Sequence, residues 1–232
     1  MTRNTKAGAD RRKRPRKRAE QQRSIETRVS ILNAAIAEFA ERGFEGASIR
    51  AIADRLGLRH PLITYHYRSK EILWRAAAEH AFSQIRGEWD VSASEDADLS
   101  PMVRLHQEYT TLFRYTVSFP EFHRFMRQET STNNPRLKWV AEAVLAPLLG
   151  RLLPQIIEAQ KRGLFPAVNP ILFHYMMVSL TATLSEFGPE MRVTSGLSSN
   201  DPKVTEAYWR LVEALVFEKK IGPARKTSRP SK

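Results

Sequence analysis

Four times in the later two-thirds of the chain, a Ser, Asn or Asp is followed at once by proline and then by apolar residues at helical spacing. The pairs are Ser100-Pro101, Asn134-Pro135, Asn169-Pro170 and Asp201-Pro202. A side-chain oxygen at the N-cap satisfies an amide that a helix start leaves unpaired, and proline at the first helical position has no amide to satisfy. The pairs predict helices running to about Ser118, Arg162, Gly188 and Lys220, the second stopped by Gly163. Phe119-Pro120 opens a short helix to about Thr130. Pro147 and Pro154 fall inside the long second segment and are expected to kink or split it. No period-two alternation and no strand-turn-strand pattern occurs, so the chain reads as all-α with about nine helices.

The N-terminal third adds short helices with defined stops. Ile25, Val29, Leu32, Ile36 and Phe39 step by 4, 3, 4 and 3 residues, one face of a helix that Gly43 ends. Ser48 is a good N-cap for a short helix whose Ile49, Ile52, Ala53 and Leu56 face inward. Gly57 ends it and permits a sharp turn, and Leu58 anchors that turn. A third short helix covers roughly Arg59–Tyr65. Ser69 caps a fourth, with Glu71 in its first turn, where the helix dipole favours an acid. Residues 90–100 are acidic, small and polar, and read as a loop.

Two short helices joined by a tight glycine turn and braced by longer neighbours make a helix-turn-helix at about Ile49–Tyr67. Ile63 and Tyr67 are spaced to face inward, leaving His60, Pro61, Leu62, Thr64, Tyr65 and His66 outside. Pro61 or Leu62 suits contact with a thymine methyl. Tyr65 and His66 can donate to phosphate oxygens, and Arg59 can reach either target. The same periodicity fits a small helical hairpin whose aromatics belong to the core.

The run from Ile31 to Leu73 closely resembles the N-terminal domain of the TetR/AcrR family of transcriptional regulators. The matching features are Ala34-Ala35 with Phe39, Gly43-Phe44, Ser48-Ile49 with Ile52-Ala53, Gly57-Leu58, Tyr65-His66-Tyr67 and Ser69-Lys70-Glu71. The resemblance implies phosphate contacts at Ser48, Tyr65, His66 and Lys70 and base-edge contacts at His60, Pro61, Leu62 and Thr64. It implies a homodimer on a near-palindromic double-stranded DNA operator, with two recognition helices about one DNA turn apart. Two departures stand out. Thr64 lies where the family usually has Tyr, and Arg59 replaces a common small polar residue, so operator sequence is where this chain should differ.

The same resemblance implies that residues 85–220 form a helical effector-binding and dimerisation domain, its last two long helices building a four-helix bundle with the partner. Residues 171–187 are apolar on more than one face and 207–217 carry an aromatic-aliphatic stripe, which agree with that role but equally fit one large monomer core. Candidate pocket residues for a small hydrophobic effector are His106, Tyr109, Phe113, Phe122, Phe125, Met126, Trp139, Met176 and Met177, each of which also suits ordinary core. His123 and His174 either orient a ligand or bond internally.

Charge separates the tails from the body. Of the formal net charge of +12, residues 1–24 carry +8 and residues 219–232 carry +6, so the body between is slightly acidic. Residues 1–23 are expected to form a disordered basic arm, 24–84 the DNA-binding domain, and 221–232 a disordered basic tail. A non-specific nucleic-acid binder driven by these tails is the alternative function, and activator and repressor are not separated by sequence. No GxSxG, GxGxxG, P-loop or HExxH pattern occurs and cysteine is absent, so the chain reads as no enzyme, without cofactor or metal. No secretory signal is evident, no stretch was expected to reach the roughly 20 apolar residues that span a bilayer, and no membrane partner is expected. A cytoplasmic, nucleoid-associated location follows from the resemblance.

Overall fold

The structure is a computed structural model that describes residues 7–94, 98–130 and 134–218. Every regular element among them is helical: α1 (Ala7–Gly46), α2 (Ile49–Arg55), α3 (His60–His66), α4 (Lys70–Ser92), α5 (Pro101–Ser118), α6 (Pro120–Thr130), α7 (Pro135–Val140), α8 (Ala146–Lys161), α9 (Pro170–Ser195) and α10 (Pro202–Val216). A π-helical turn at Ala141–Leu145 joins α7 to α8.

The helices form two compact units. One contains residues up to Glu88 together with Phe119–Leu148; the other contains Trp89–Ser118 and the chain from Leu149 onward. A single cut near residue 84 therefore does not describe the packing, because α6 and α7 join the N-terminal helices. Side-chain packing explains why. Phe125 of α6 lies against Phe39 of α1 and Trp74 of α4, and Trp139 meets Trp74 edge to face at 5.6 Å. Phe82 and Phe122 make a second T-shaped pair at 5.3 Å. Ile31, Ala35, Phe39, Ile52, Ile63 and Leu73 complete this core. Such aromatic pairs add about 0.5–1.5 kcal/mol beyond the apolar area they bury.

In the other unit, α5 packs along α9. Leu105, Tyr109, Phe113, Leu152, Ile156, Met177 and Trp209 are buried, and Phe113 stacks on Trp209 at 4.6 Å. Buried charge is paired: Arg151 reaches Glu108 and Asp90 at 2.7 Å each, and Arg104 donates to the carbonyls of Ala93 and Ser94.

The cap-proline starts of α5, α6, α7, α9 and α10 fall where the sequence places them, and Asn134, Asn169 and Asp201 accept amide hydrogen bonds as N-caps. Five expectations are corrected. Residues 7–23 continue α1 as helix, because Ala, Arg, Lys, Gln and Glu favour helix even without an apolar stripe. Ile25 and Val29 are exposed; α1 is buried only from Ile31 onward. Pro154 sits inside α8 without ending it, and the long segment is interrupted earlier, by the π turn just before Pro147. α9 passes through Gly188 and Pro189 to Ser195, since Gly188 keeps right-handed φ and the left-handed residue is Gly196, φ 73°. α10 ends at Val216 rather than near residue 220. The tail 221–232 lies outside the described residues, as do the first six of the arm.

By length and composition, the run Pro135–Lys161 is apolar enough to cross a membrane, more than the sequence reading credited. Of its apolar window 22% is buried. Val140, Leu152, Ile156 and Ala159 of the run are buried, and its Arg151 is ion-paired with Glu108.

Candidate nucleic-acid interface

Each boundary of the helix-turn-helix has a local cause. At Gly43 the backbone takes φ 66° and ψ 175°, a region essentially reserved for glycine, and the chain breaks out of α1. Ser48 Oγ then accepts the amide of Ala51 at 3.0 Å and starts α2. At the other end the amides of Gly57 and Leu58 return to the carbonyls of Asp54 and Ala53, at 3.2 and 3.0 Å. This is a Schellman turn, with Gly57 left-handed at φ 62°. Arg59 is the N-cap residue of α3 and Pro61 occupies its first turn. Ser69 Oγ accepts the amide of Ile72 at 3.1 Å and starts α4.

α2 is tied to α1 by a small ion cluster. Glu38 is 1% exposed, accepts a hydrogen bond from Arg55 Nε at 3.0 Å and forms an ion pair with Arg42 at 3.3 Å, while Arg55 also pairs with Glu41. The hydrogen bond from Arg55 holds the Glu41 carboxyl below the ordinary carboxylate range. Sequence reading missed Glu38, because its spacing on α1 resembles that of a surface acid.

The outer side of α3 carries the expected group. Arg59, His60 and Pro61 are exposed, Leu62 is 37% exposed and Tyr65 is 81% exposed, whereas Ile63 is fully buried and Tyr67 nearly so. A tyrosine left that open beside an apolar Leu and Pro is unusual for a solvated surface. Thr64 is half-buried, and its hydroxyl bonds the carbonyl of Pro61 at 3.1 Å. His66 is half-buried against Arg28 of α1. Ser48 keeps its hydroxyl hydrogen, since its cap bond uses only the oxygen lone pair.

Lys70 stands differently. Its ammonium donates to the carbonyls of Glu45 and Ala47 at 3.2 Å each and lies 4.6 Å from the Phe44 ring centroid. Arg136 approaches the same ring at 3.9 Å. Lys70 therefore secures the segment leading to Ser48, with a third N–H left over. Arg28, Arg50 and Arg68 are further exposed cations on or beside these helices; no motif singled them out.

The nine candidate effector residues are divided between the two units. Phe122, Phe125, Met126 and Trp139 belong to the unit that carries the helix-turn-helix and build its core, and His106, Tyr109, Phe113, Met176 and Met177 belong to the other. Within that second unit Tyr109 and Met177 are fully buried, Phe113 is 5% exposed, and Met176 is 45% exposed. His106 bonds Glu213 at 2.7 Å. Tyr109 and His174 share a buried hydrogen bond of 3.1 Å. Burial pushes His174 down to about 4 and raises the Tyr109 hydroxyl, so both are neutral near pH 7. Among the described residues there is no grouping of His, Asp and Glu that would hold a metal.

Residues 31–77 match the sequence profile of the bacterial regulatory proteins of the tetR family. The chain is 28% identical to the HTH-type transcriptional repressor NicS of Pseudomonas putida over 161 residues, covering 68% of this chain and 74% of that one. It is 23% identical to the HTH-type transcriptional regulator RutR of Escherichia coli over 191 residues, 82% of this chain and 88% of that one. Its fold is that of a TetR family transcription regulator from Marinobacter aquaeolei, with a TM-score of 0.63 and 24% identity, covering 86% of this chain and all of the other. The ketosteroid transcriptional regulator KstR2 of Mycobacterium tuberculosis shares the fold at a TM-score of 0.62 and 18% identity, over 83% and 96% of the two chains. The profile match falls on the segment whose caps, turn and exposed face are described above, and the named relatives are regulators of transcription rather than enzymes. Over residues 31–77 the chain is similar to the bacterial regulatory proteins of the tetR family, and the fold as a whole is the one found in solved regulators of that family.

Proposed function

We propose that this chain is a homodimeric repressor that sits on a near-palindromic operator and is released by a small hydrophobic effector. The observation that carries the reading is the outer face of α3, where Arg59, His60, Pro61, Leu62 and Tyr65 stand open on a helix set between the Gly57 turn that ends α2 and the Ser69 cap that starts α4. In this reading His60, Pro61, Leu62 and Thr64 meet base edges. Ser48, Tyr65, His66 and the third N–H of Lys70 meet phosphates, and Arg59 reaches either. Thr64 lends its hydroxyl to the helix backbone, and in this reading its methyl is what a thymine would meet.

Dimerisation is supported by an apolar face on α9 and α10. Leu172, Tyr175, Met176 and Phe187 are exposed along one side of α9, and Leu211 and Leu215, four residues apart, are exposed on α10. Tyr208 ties the two helices through a 2.7 Å bond to the Leu180 carbonyl. A face this apolar suits burial against a second copy. For the effector, the interior around Tyr109, Phe113, His174 and Met177 offers aromatic and thioether surface with one polar pair to orient a ligand. The ketosteroid named for one structural neighbour is of that apolar class. Such a protein works in the cytoplasm, at the nucleoid.

The experiment is a gel-shift titration with the tightest duplex recovered from a randomised pool. Tyr65→Ala is expected to weaken binding about tenfold or more, the effect of losing one hydrogen bond to a charged group, with helicity and dimer unchanged. Unchanged affinity would remove α3 as the recognition helix.

A further inference from the structure

His66 closes α3, and one edge of its ring meets α1: Nε–H of Arg28 donates to His66 Nδ1 at 3.4 Å. A guanidinium only donates, so the Nδ1 it meets must present a lone pair, and the ring proton then resides on Nε2. That nitrogen lies on the opposite edge of the imidazole from the Arg28 contact. A protonated His66 would set N–H against N–H beside a permanent cation. The groups around the ring are its chain neighbours Tyr65, edge-on at 5.3 Å, and Tyr67 at 6.4 Å, with Arg28 from α1; no carboxylate is among them. Burial first, and the Arg28 charge second, hold the imidazole below the ordinary histidine value.

We infer that Arg28 is a positioning residue for DNA recognition: it holds His66 as the neutral Nε2–H tautomer, so that α3 ends in a directed N–H donor for a phosphate oxygen. The inference rests on the proposed phosphate contact of His66 and adds the means by which it is set. A histidine beside phosphate ordinarily gains a proton on binding. Here His66 contributes direction instead of charge, and operator binding through it takes up no proton near neutral pH.

The test begins with side-chain nitrogen NMR of the full-length, DNA-free protein. His66 should show a protonated Nε2 and an unprotonated Nδ1, and Arg28→Ala should mix the tautomers and raise the titration midpoint. Arg28 is exposed on α1, so the variant should keep its melting temperature. The second arm measures affinity for the tightest selected duplex against pH. Arg28→Ala should bind roughly tenfold more weakly near pH 7.5 and gain affinity as pH falls, by up to about tenfold per unit, the limit for one proton. The double variant Arg28→Ala/His66→Gln should lose that pH dependence. A His66 protonated on Nδ1, or a titration that Arg28→Ala leaves unmoved, overturns the inference while leaving the proposed function standing. A tautomer that follows Arg28 without any change in DNA affinity overturns the phosphate contact itself. If the wild-type chain binds no duplex, the proposed function fails, and the inference fails with it as a statement about recognition.

Discussion

Gly43 bears more of the architecture than any other small residue. Its φ of 66° with ψ of 175° releases the chain from α1, and an added Cβ would lie 3.4 Å from Gln128 Oε1 of α6. Gly43→Ala should therefore destabilise the protein by about 1–3 kcal/mol, read as a lowered denaturant midpoint. An alanine variant that unfolds with the wild type would mean the turn is not so constrained. His174 makes a second prediction. Its folded-state value is about 4, against an ordinary 6.5, so between those pH values the unfolded chain binds the extra proton. Stability is then complete above about pH 6.5 and falls with acidification, by at most about 1.4 kcal/mol per pH unit from this group. Urea titrations from pH 7 to 4 should show the loss, and His174→Gln should flatten it; equal slopes in both proteins would place the acid sensitivity elsewhere. Single residues were legible in the sequence where their role is local. Ser48, Gly57 and Ser69 could be placed from chemistry within four residues. The contacts of Glu38, Arg28 and Lys70 could not, because each is made with a partner 17 to 38 residues distant, such as His66 for Arg28.

Helix starts were read better than helix ends. An Asx or Ser cap with proline has one backbone solution, so the starts of α5, α7, α9 and α10 were legible. A glycine marks an end only when its φ turns positive, which separates Gly163 and Gly196 from Gly188. Periodicity likewise gives the direction of an apolar face but not the length over which a partner covers it, which is why Ile25 and Val29 proved exposed. The uncovered faces of α9 and α10 carry the prediction at this scale. Leu211→Glu with Leu215→Glu should convert a dimer to monomer in sedimentation velocity and leave the far-ultraviolet helix signal intact. A double variant that still sediments as a dimer would place the interface elsewhere.

At the scale of the whole chain, the division into two units was only half legible. The helix-turn-helix announced itself through a dense local motif, whereas the membership of α6 and α7 in the same unit depends on Phe122, Phe125 and Trp139 meeting Phe82, Phe39 and Trp74. These long-range contacts leave no periodic trace, and the same aromatics read equally well as pocket lining. Charge is a whole-chain property too. The strong positive charge of the two ends can supply salt-dependent affinity for any DNA, but not choice among sequences. In the proposed function choice comes from the α3 face, through sequence-specific recognition by a dimer. The most direct measurement is selection of bound sites from a randomised duplex pool by the full-length protein. The account predicts a near-palindromic site whose half-sites lie about 10 base pairs apart, with preference kept after removal of residues 1–23 and 221–232 and a smaller salt slope. A pool that yields no enriched site, with binding that vanishes when the tails are removed, would contradict it.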